Sequence, residues 1–161
     1  MTRVLSSSKG ECKERAICKE DFSKIFDDER AEWTEKIKVY ALHLKDIRTV
    51  ATAQVDLFGA RQILLEYSYK LAKIYSRLNT KYKTDKARKL REISENADYK
   101  YGSNEKTMIL DGLLSEIVSK MELVDGHRKF IDQTVQTVDH MLYGIRQRIA
   151  LEEYLRGSTV K

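Results

Sequence analysis

The strongest pattern in the chain is the spacing of its apolar residues. Leu110, Leu114, Ile117, Met121, Val124, Ile131, Val135, Val138, Leu142, Ile145 and Ile149 recur with a 3.5-residue period that only Arg128 interrupts. A seven-residue repeat held this long predicts a helical segment with one apolar stripe that supercoils against partner helices. Asp125-Gly126 is a place where it could divide, and Gly157 a place where it could end. A second stripe, Leu64, Tyr67, Leu71, Ile74 and Leu78, predicts another amphipathic helix. A third, Trp33, Ile37, Tyr40, Leu44, Ile47 and Ala51, has the same 4-3 spacing. Its phase is lost near Gln54, where Asp56 and Gly59 follow.

Between these stripes the pattern is weaker. Ser6-Ser7-Ser8-Lys9-Gly10 reads as a flexible tail, and Cys12 to Phe26 as a short helix. Beyond Asn79 the apolar period fails, so residues 79–101 read either as interrupted helix or as basic loop. Tyr99 to Asn104 reads as a turn, with Gly102 free to take positive φ and Ser103 or Asn104 able to cap the next helix. The expected organisation is a flexible N-terminal extension (1–30), a helical region with a basic segment at 70–91 (31–101), and a C-terminal helical oligomerisation region (102–161). The expected fold is all-α: long amphipathic helices in an antiparallel bundle with coiled-coil-like seams. The C-terminal stripe is longer than the other two, so part of it is expected to pack on other protomers in a homo-oligomer.

Composition narrows the class. The 161 residues are 34% charged and contain no Pro, as expected of long helices. No uncharged apolar run approaches the length of a membrane span. Met1 to Gly10 has no apolar run followed by a small-residue cleavage site, which speaks against secretion and for a cytoplasmic protein. Two Cys do not make a disulfide scaffold, and Cys12-x5-Cys18 lacks a second ligand pair for zinc. His43, His127 and His140 stand apart and outside metal-binding patterns. There is no Gly-rich phosphate loop and no GxSxG. A bundle enzyme would need inward-facing carboxylate and His pairs that this sequence does not supply, so no enzymatic activity, metal or cofactor is expected.

Charge adds the one constellation with chemical consequence. The net charge of +5 comes from residues 61–101, which carry 11 basic and 5 acidic residues, while residues 1–60 balance and 102–161 are slightly acidic. Lys70 to Arg91 holds nine bases against the single acid Asp85. Such crowding costs a helix a few tenths of a kcal/mol per like-charged pair, and a polyanion would relieve it while releasing counterions. Lys70, Lys73, Arg77 and Lys81 share one face, which would extend about 16 Å. Tyr69, Tyr75, Tyr82, Tyr99 and Tyr101 are interleaved with the bases. Cations that track phosphates and rings that stack on bases are how single-stranded nucleic acid is held. Tyr67 and Tyr75 suit the bundle core, and Tyr99 and Tyr101 are the better stacking candidates. A basic face also suits an acidic protein, so a non-enzymatic helical scaffold or adaptor is the alternative. The face lacks the bulky apolar rim of a membrane-lying helix.

The basic segment and the C-terminal stripe together resemble the UvsY-type family of phage recombination mediators. Three features carry the resemblance. Tyr67-Ser68-Tyr69-Lys70-Leu71 leads a helix into the basic stretch, and Lys86-Ala87-Arg88 lies within it, followed by Tyr99-Lys100-Tyr101-Gly102. The closing region runs from Lys106 through Met108-Ile109-Leu110-Asp111 to Ile145-Arg146-Gln147-Arg148-Ile149, Tyr154 and Gly157. The resemblance covers about residues 56–157. It implies an accessory factor in the host cell cytoplasm, active in phage recombination, repair and replication. Such a factor binds single-stranded DNA, remodels single-strand-binding protein and loads a RecA-like recombinase. It further implies a ring-like homo-oligomer of about six or seven protomers, closed by repeating one interface. DNA binding is expected at Lys81, Lys83, Lys86, Arg88, Lys89 and Arg91, with Tyr99 and Tyr101 stacking; the Lys-x-Arg role falls on Lys86 and Arg88.

Overall fold

The computed structural model describes residues 11–95 and 101–158, with side chains over 22–46, 48–95 and 101–157. Three helices account for nearly all of them: α1 (Glu11–His43), α2 (Ile47–Glu95) and α3 (Ser103–Ser158). The described chain is all-α. At 1.5 Å per residue α3 is about 84 Å long and α2 about 74 Å.

Cross-helix bonds define the arrangement. Arg61 Nε donates to Asp139 Oδ1 at 2.6 Å and Ser68 Oγ to Asp132 Oδ1 at 2.7 Å, so α2 and α3 run antiparallel. Tyr67 Oη donates to Glu29 Oε2 at 2.5 Å, and the same oxygen lies 2.9 Å from His127 Nε2. Arg148 donates to the Leu44 carbonyl at 2.8 Å. α1 therefore runs antiparallel to α2 and parallel to α3, in an up-down-up bundle.

The connection between α1 and α2 corrects the reading of Trp33 to Ala51 as one helix. Trp33 is buried, and Ile37, Tyr40 and Leu44 pack on the core, but the chain reverses at residues 44–46 and Ala51 is exposed. Asp46 makes the reversal possible. Its carboxylate accepts the Arg48 N–H at 3.0 Å, which satisfies a donor at the start of α2, and Thr49 Oγ1 ties back to the His43 carbonyl at 2.6 Å. An Asp46→Ala substitution is expected to lower stability by about 1 kcal/mol in urea denaturation.

α2 is continuous where the sequence pattern loses phase. Its buried positions are Val50, Ala53, Leu57, Ala60, Leu64 and Leu71, so two alanines carry the heptad spacing across Gln54 to Gly59. Alanine gives little apolar signal by itself, and a helix packed closely against α3 favours it at these positions. α2 also runs unbroken through residues 79–95.

α3 is likewise one helix. Asp125-Gly126 does not divide it, and Gly157 lies inside its last turn. Leu110, Leu114, Val124, Ile131, Val135, Val138, Leu142 and Ile145 are buried as the 3.5-residue period requires. Ile149 is exposed, because the end of α3 passes beyond the reversal between α1 and α2. The gap at Arg128 is filled by its neighbour: His127 is fully buried, three residues after Val124 and four before Ile131. At the other end, Gly102 has no positive φ. It occupies the cap position itself: its carbonyl accepts the Lys106 N–H, and its N–H donates to Glu105 Oε2 at 2.9 Å, half of a capping box.

The boundary expected at residue 30 falls inside α1. Phe26 is buried and stacks on His127 with ring centroids 4.2 Å apart, so residues 22–30 belong to the bundle and not to an extension. Residues 1–10 lie outside the described residues, as do the side chains of Cys12 and Cys18.

Candidate nucleic-acid interface

The basic segment is the C-terminal half of α2, and helical geometry sorts its nine bases into three groups. At 3.6 residues per turn, Lys70, Lys73, Arg77, Lys81, Arg88 and Arg91 fall within about 80° of one another around the axis. This face points away from the buried line through Leu64 and Leu71, and all six residues are exposed. From Lys70 to Arg91 the stripe is about 32 Å long. Lys83 lies about 80° beyond its edge on the outer side, and Lys86 about 60° further, on the flank toward α3. Lys89 shares the inner line of Leu71 and Leu78, is half-buried, and bonds to Glu92 at 3.0 Å.

Neutralisation within the helix is slight. Arg88 bonds to Asp85 at 2.9 Å, yet its side chain keeps 61% of its exposure. Among the described residues, Lys70, Lys73, Arg77, Lys81, Lys83 and Arg91 make no ion pair with a carboxylate. Exposed charges on a long helix hold such a field at modest cost, because water and counterions screen them. Lys73 stands over the Tyr69 ring at 4.6 Å and Lys86 over Tyr82 at 5.5 Å. Each pair presents an aromatic ring beside a cation to solvent.

The eight residues expected to bind DNA are thus not one cluster. Lys81, Arg88 and Arg91 stand together, joined by Lys70, Lys73 and Arg77. Lys83 and Lys86 lie around the helix from them. Lys89 stands apart from both groups, half-buried on the inner line and bonded to Glu92. Tyr101 is half-buried beside the start of α3, and Tyr99 lies outside the described residues. The Tyr75–Tyr82 pair was the less visible feature. Seven residues apart, both line an open groove against α3, and that heptad spacing was the available signal.

The middle of the bundle is locked by a polar cluster. The imidazole of His127 is enclosed by Phe26, Tyr67 and Phe130. With Nε2 facing the Glu29 carboxylate, the ring proton sits on Nε2, and Nδ1 has no hydrogen-bond partner among the described residues. Burial pushes His127 below the usual histidine range, against the pull of Glu29. Burial and the bond to Glu29 push the Tyr67 hydroxyl up, so it remains a neutral donor. This cluster fixes α1 to the α2–α3 hairpin.

Among the described residues no set of three His, Cys, Asp or Glu is placed to hold a metal, and no helix is long and apolar enough to cross a membrane. No protein-family model, curated protein or solved structure matches the chain.

Proposed function

We propose that this protein is a non-enzymatic, single-stranded-DNA-binding recombination mediator of the UvsY type, acting in the host cell cytoplasm. It loads a RecA-like recombinase onto DNA coated with single-strand-binding protein. The observation that carries the DNA-binding part is the exposed stripe of Lys70, Lys73, Arg77, Lys81, Arg88 and Arg91, five of them without a carboxylate partner among the described residues. A regular row of cations on a straight helix suits a flexible polyanion, since each phosphate neutralised releases counterions whatever the sequence. The mediator role rests on the resemblance described above.

Self-assembly is part of the proposal. The outer face of α2 just before the stripe carries a second heptad line: Ala51, Val55, Phe58, Gln62, Leu65 and Tyr69, all exposed. Val55 is 70% exposed and Tyr69 63%. The overhanging end of α3 adds Leu151, Tyr154 and Leu155. Apolar lines of this regularity are a liability on a solitary bundle and a seam in an assembly. Coiled-coil packing along them would close a ring and repeat the basic stripe around it, so that weak contacts add by avidity. The double variant F58E/L65E is expected to lower the particle mass in light scattering while leaving helicity unchanged. An unaltered mass would remove this face from the interface.

The deciding experiment is a salt titration of oligo-dT binding. Engagement of five or six phosphates predicts a slope of log K against log salt of roughly −3.5 to −4.2 for a single strand. A helical adaptor for an acidic protein predicts no oligo-dT binding at about 0.1 M salt.

A further inference from the structure

The groove between α2 and α3 at the basic end of the bundle is not explained by phosphate binding. It has a volume of about 310 Å³ and is lined by Tyr75, Asn79 and Tyr82 from α2 and by Val118, Met121, Glu122 and Asp125 from α3. Its floor and walls are apolar and aromatic, with Met121 and the two rings half-buried. Its polar groups are few and differ in their availability. Asp125 is taken by Lys129 at 2.7 Å. The Glu122 carboxylate and the Asn79 amide have no hydrogen-bond or ion-pair partner among the described residues. At the outer rim stands Lys86, with Nζ 3.4 Å from the Tyr82 hydroxyl, and Lys83 follows on the outer side of α2.

We infer that this groove receives a nucleobase flipped from a strand held on α2, and that it prefers bases with an exocyclic amine. The inference rests on the reading of α2 as a single-strand-binding helix and adds a subsite to it. A ring in the groove can stack on Tyr82 or Tyr75, as unpaired bases do on exposed aromatic side chains. Its phosphate then lies at the rim, within reach of Lys86 and Lys83, whose charge the stripe does not use. α2 is about 10–12 Å across with its side chains, so one strand can touch both the stripe and this flank.

The edge of the base meets Glu122 and Asn79. A carboxylate accepts the exocyclic N–H of cytosine, adenine or guanine. An amide donates to the ring nitrogen or carbonyl beside it. Thymine presents one N–H flanked by two carbonyl oxygens. Those oxygens would face the carboxylate unfavourably, and the edge has no second donor to offset this. An acidic group within a basic surface is also otherwise adverse to a polyanion. Its place in the groove, away from the stripe, is consistent with reading a base and not a phosphate.

The test compares oligo-dC and oligo-dT of equal length at one salt concentration and neutral pH, using the full-length protein. Wild type is expected to bind oligo-dC at least about fivefold more tightly, the lower end of discrimination for a good base-edge contact. E122Q should abolish that preference, and Y82L should weaken both strands while circular dichroism stays the same. Equal affinity of wild type for both strands, or a preference that survives E122Q, overturns the inference. If stripe variants still weaken binding in that case, the single-strand reading stands and only the subsite falls. If neither strand binds, both fall together.

Discussion

Reversing three charges on the outer face of α2, in K81E/R88E/R91E, is expected to abolish measurable binding to single strands at about 0.1 M salt. Losing three phosphate contacts alone removes about 2 units of salt slope, roughly a hundredfold in affinity at that concentration. Reversal adds repulsion along the remaining stripe. The three side chains are exposed, and only Arg88 has an ion pair among the described residues, with Asp85. Folding should therefore be little affected: surface pairs of this kind contribute about 0–1 kcal/mol. The control is K89E. Lys89 sits on the inner line beside Glu92, so this variant should alter local stability more than the salt slope. Retained affinity in the triple variant, measured by fluorescence anisotropy at several salt concentrations, would remove α2 from the binding surface.

The second large effect concerns stability. Glu29 satisfies two partners at once, the hydroxyl of Tyr67 and the ring N–H of His127. E29A would leave both donors unpaired near the core, and is expected to cost about 2–3 kcal/mol after allowance for the partial exposure of Glu29. That is a large share of a typical net stability. The loss should appear first in α1, as faster amide exchange there than in α2 or α3.

The same cluster sets a pH dependence. His127 faces Glu29, Asp27 and Arg30 from α1, with Tyr67 of α2 at its edge. Its pKa is depressed in the folded state, chiefly by burial. The unfolded chain therefore binds more protons, so this contribution is complete above the ordinary histidine value of about 6.5 and falls as pH drops below it. Protonation would place an N–H at Nδ1, where no acceptor stands among the described residues. H127F should flatten the stability profile below the ordinary histidine value of about 6.5, because Phe keeps the stacking on Phe26 and has no proton to bind. A profile that stays as steep in H127F would assign the pH response to other groups.

Particular residues show how far the pattern of the chain could be read. The α3 stripe was legible because Leu, Ile and Val at 3.5-residue spacing have no reading but a buried helix face. The reversal at Asp46 was not, because Trp33 to Ala51 keeps the same spacing on both sides of it, and local periodicity does not register a change of direction. Ala53 and Ala60 hid the continuity of α2, since a small side chain marks a close approach only when the facing helix is known. His127 was hidden for the opposite reason: an imidazole reads as polar until Glu29, 98 residues earlier, arrives to pair with it. In the basic segment, the shared face of Lys70, Lys73, Arg77 and Lys81 followed from spacing alone. Its extension through Arg88 and Arg91 needed the helix to continue past Asn79.

What the amino-acid order determined by itself is the all-helical character, the buried line of α3 and the concentration of positive charge in the middle of the chain. Each is a local property, fixed by residue type and helical period. The tertiary structure decided which bases stand free and which turn inward, where the chain reverses, and that Tyr75 and Tyr82 form a groove with Glu122. Those depend on residues far apart in sequence meeting across helices, and only the packing of α1, α2 and α3 brings them together.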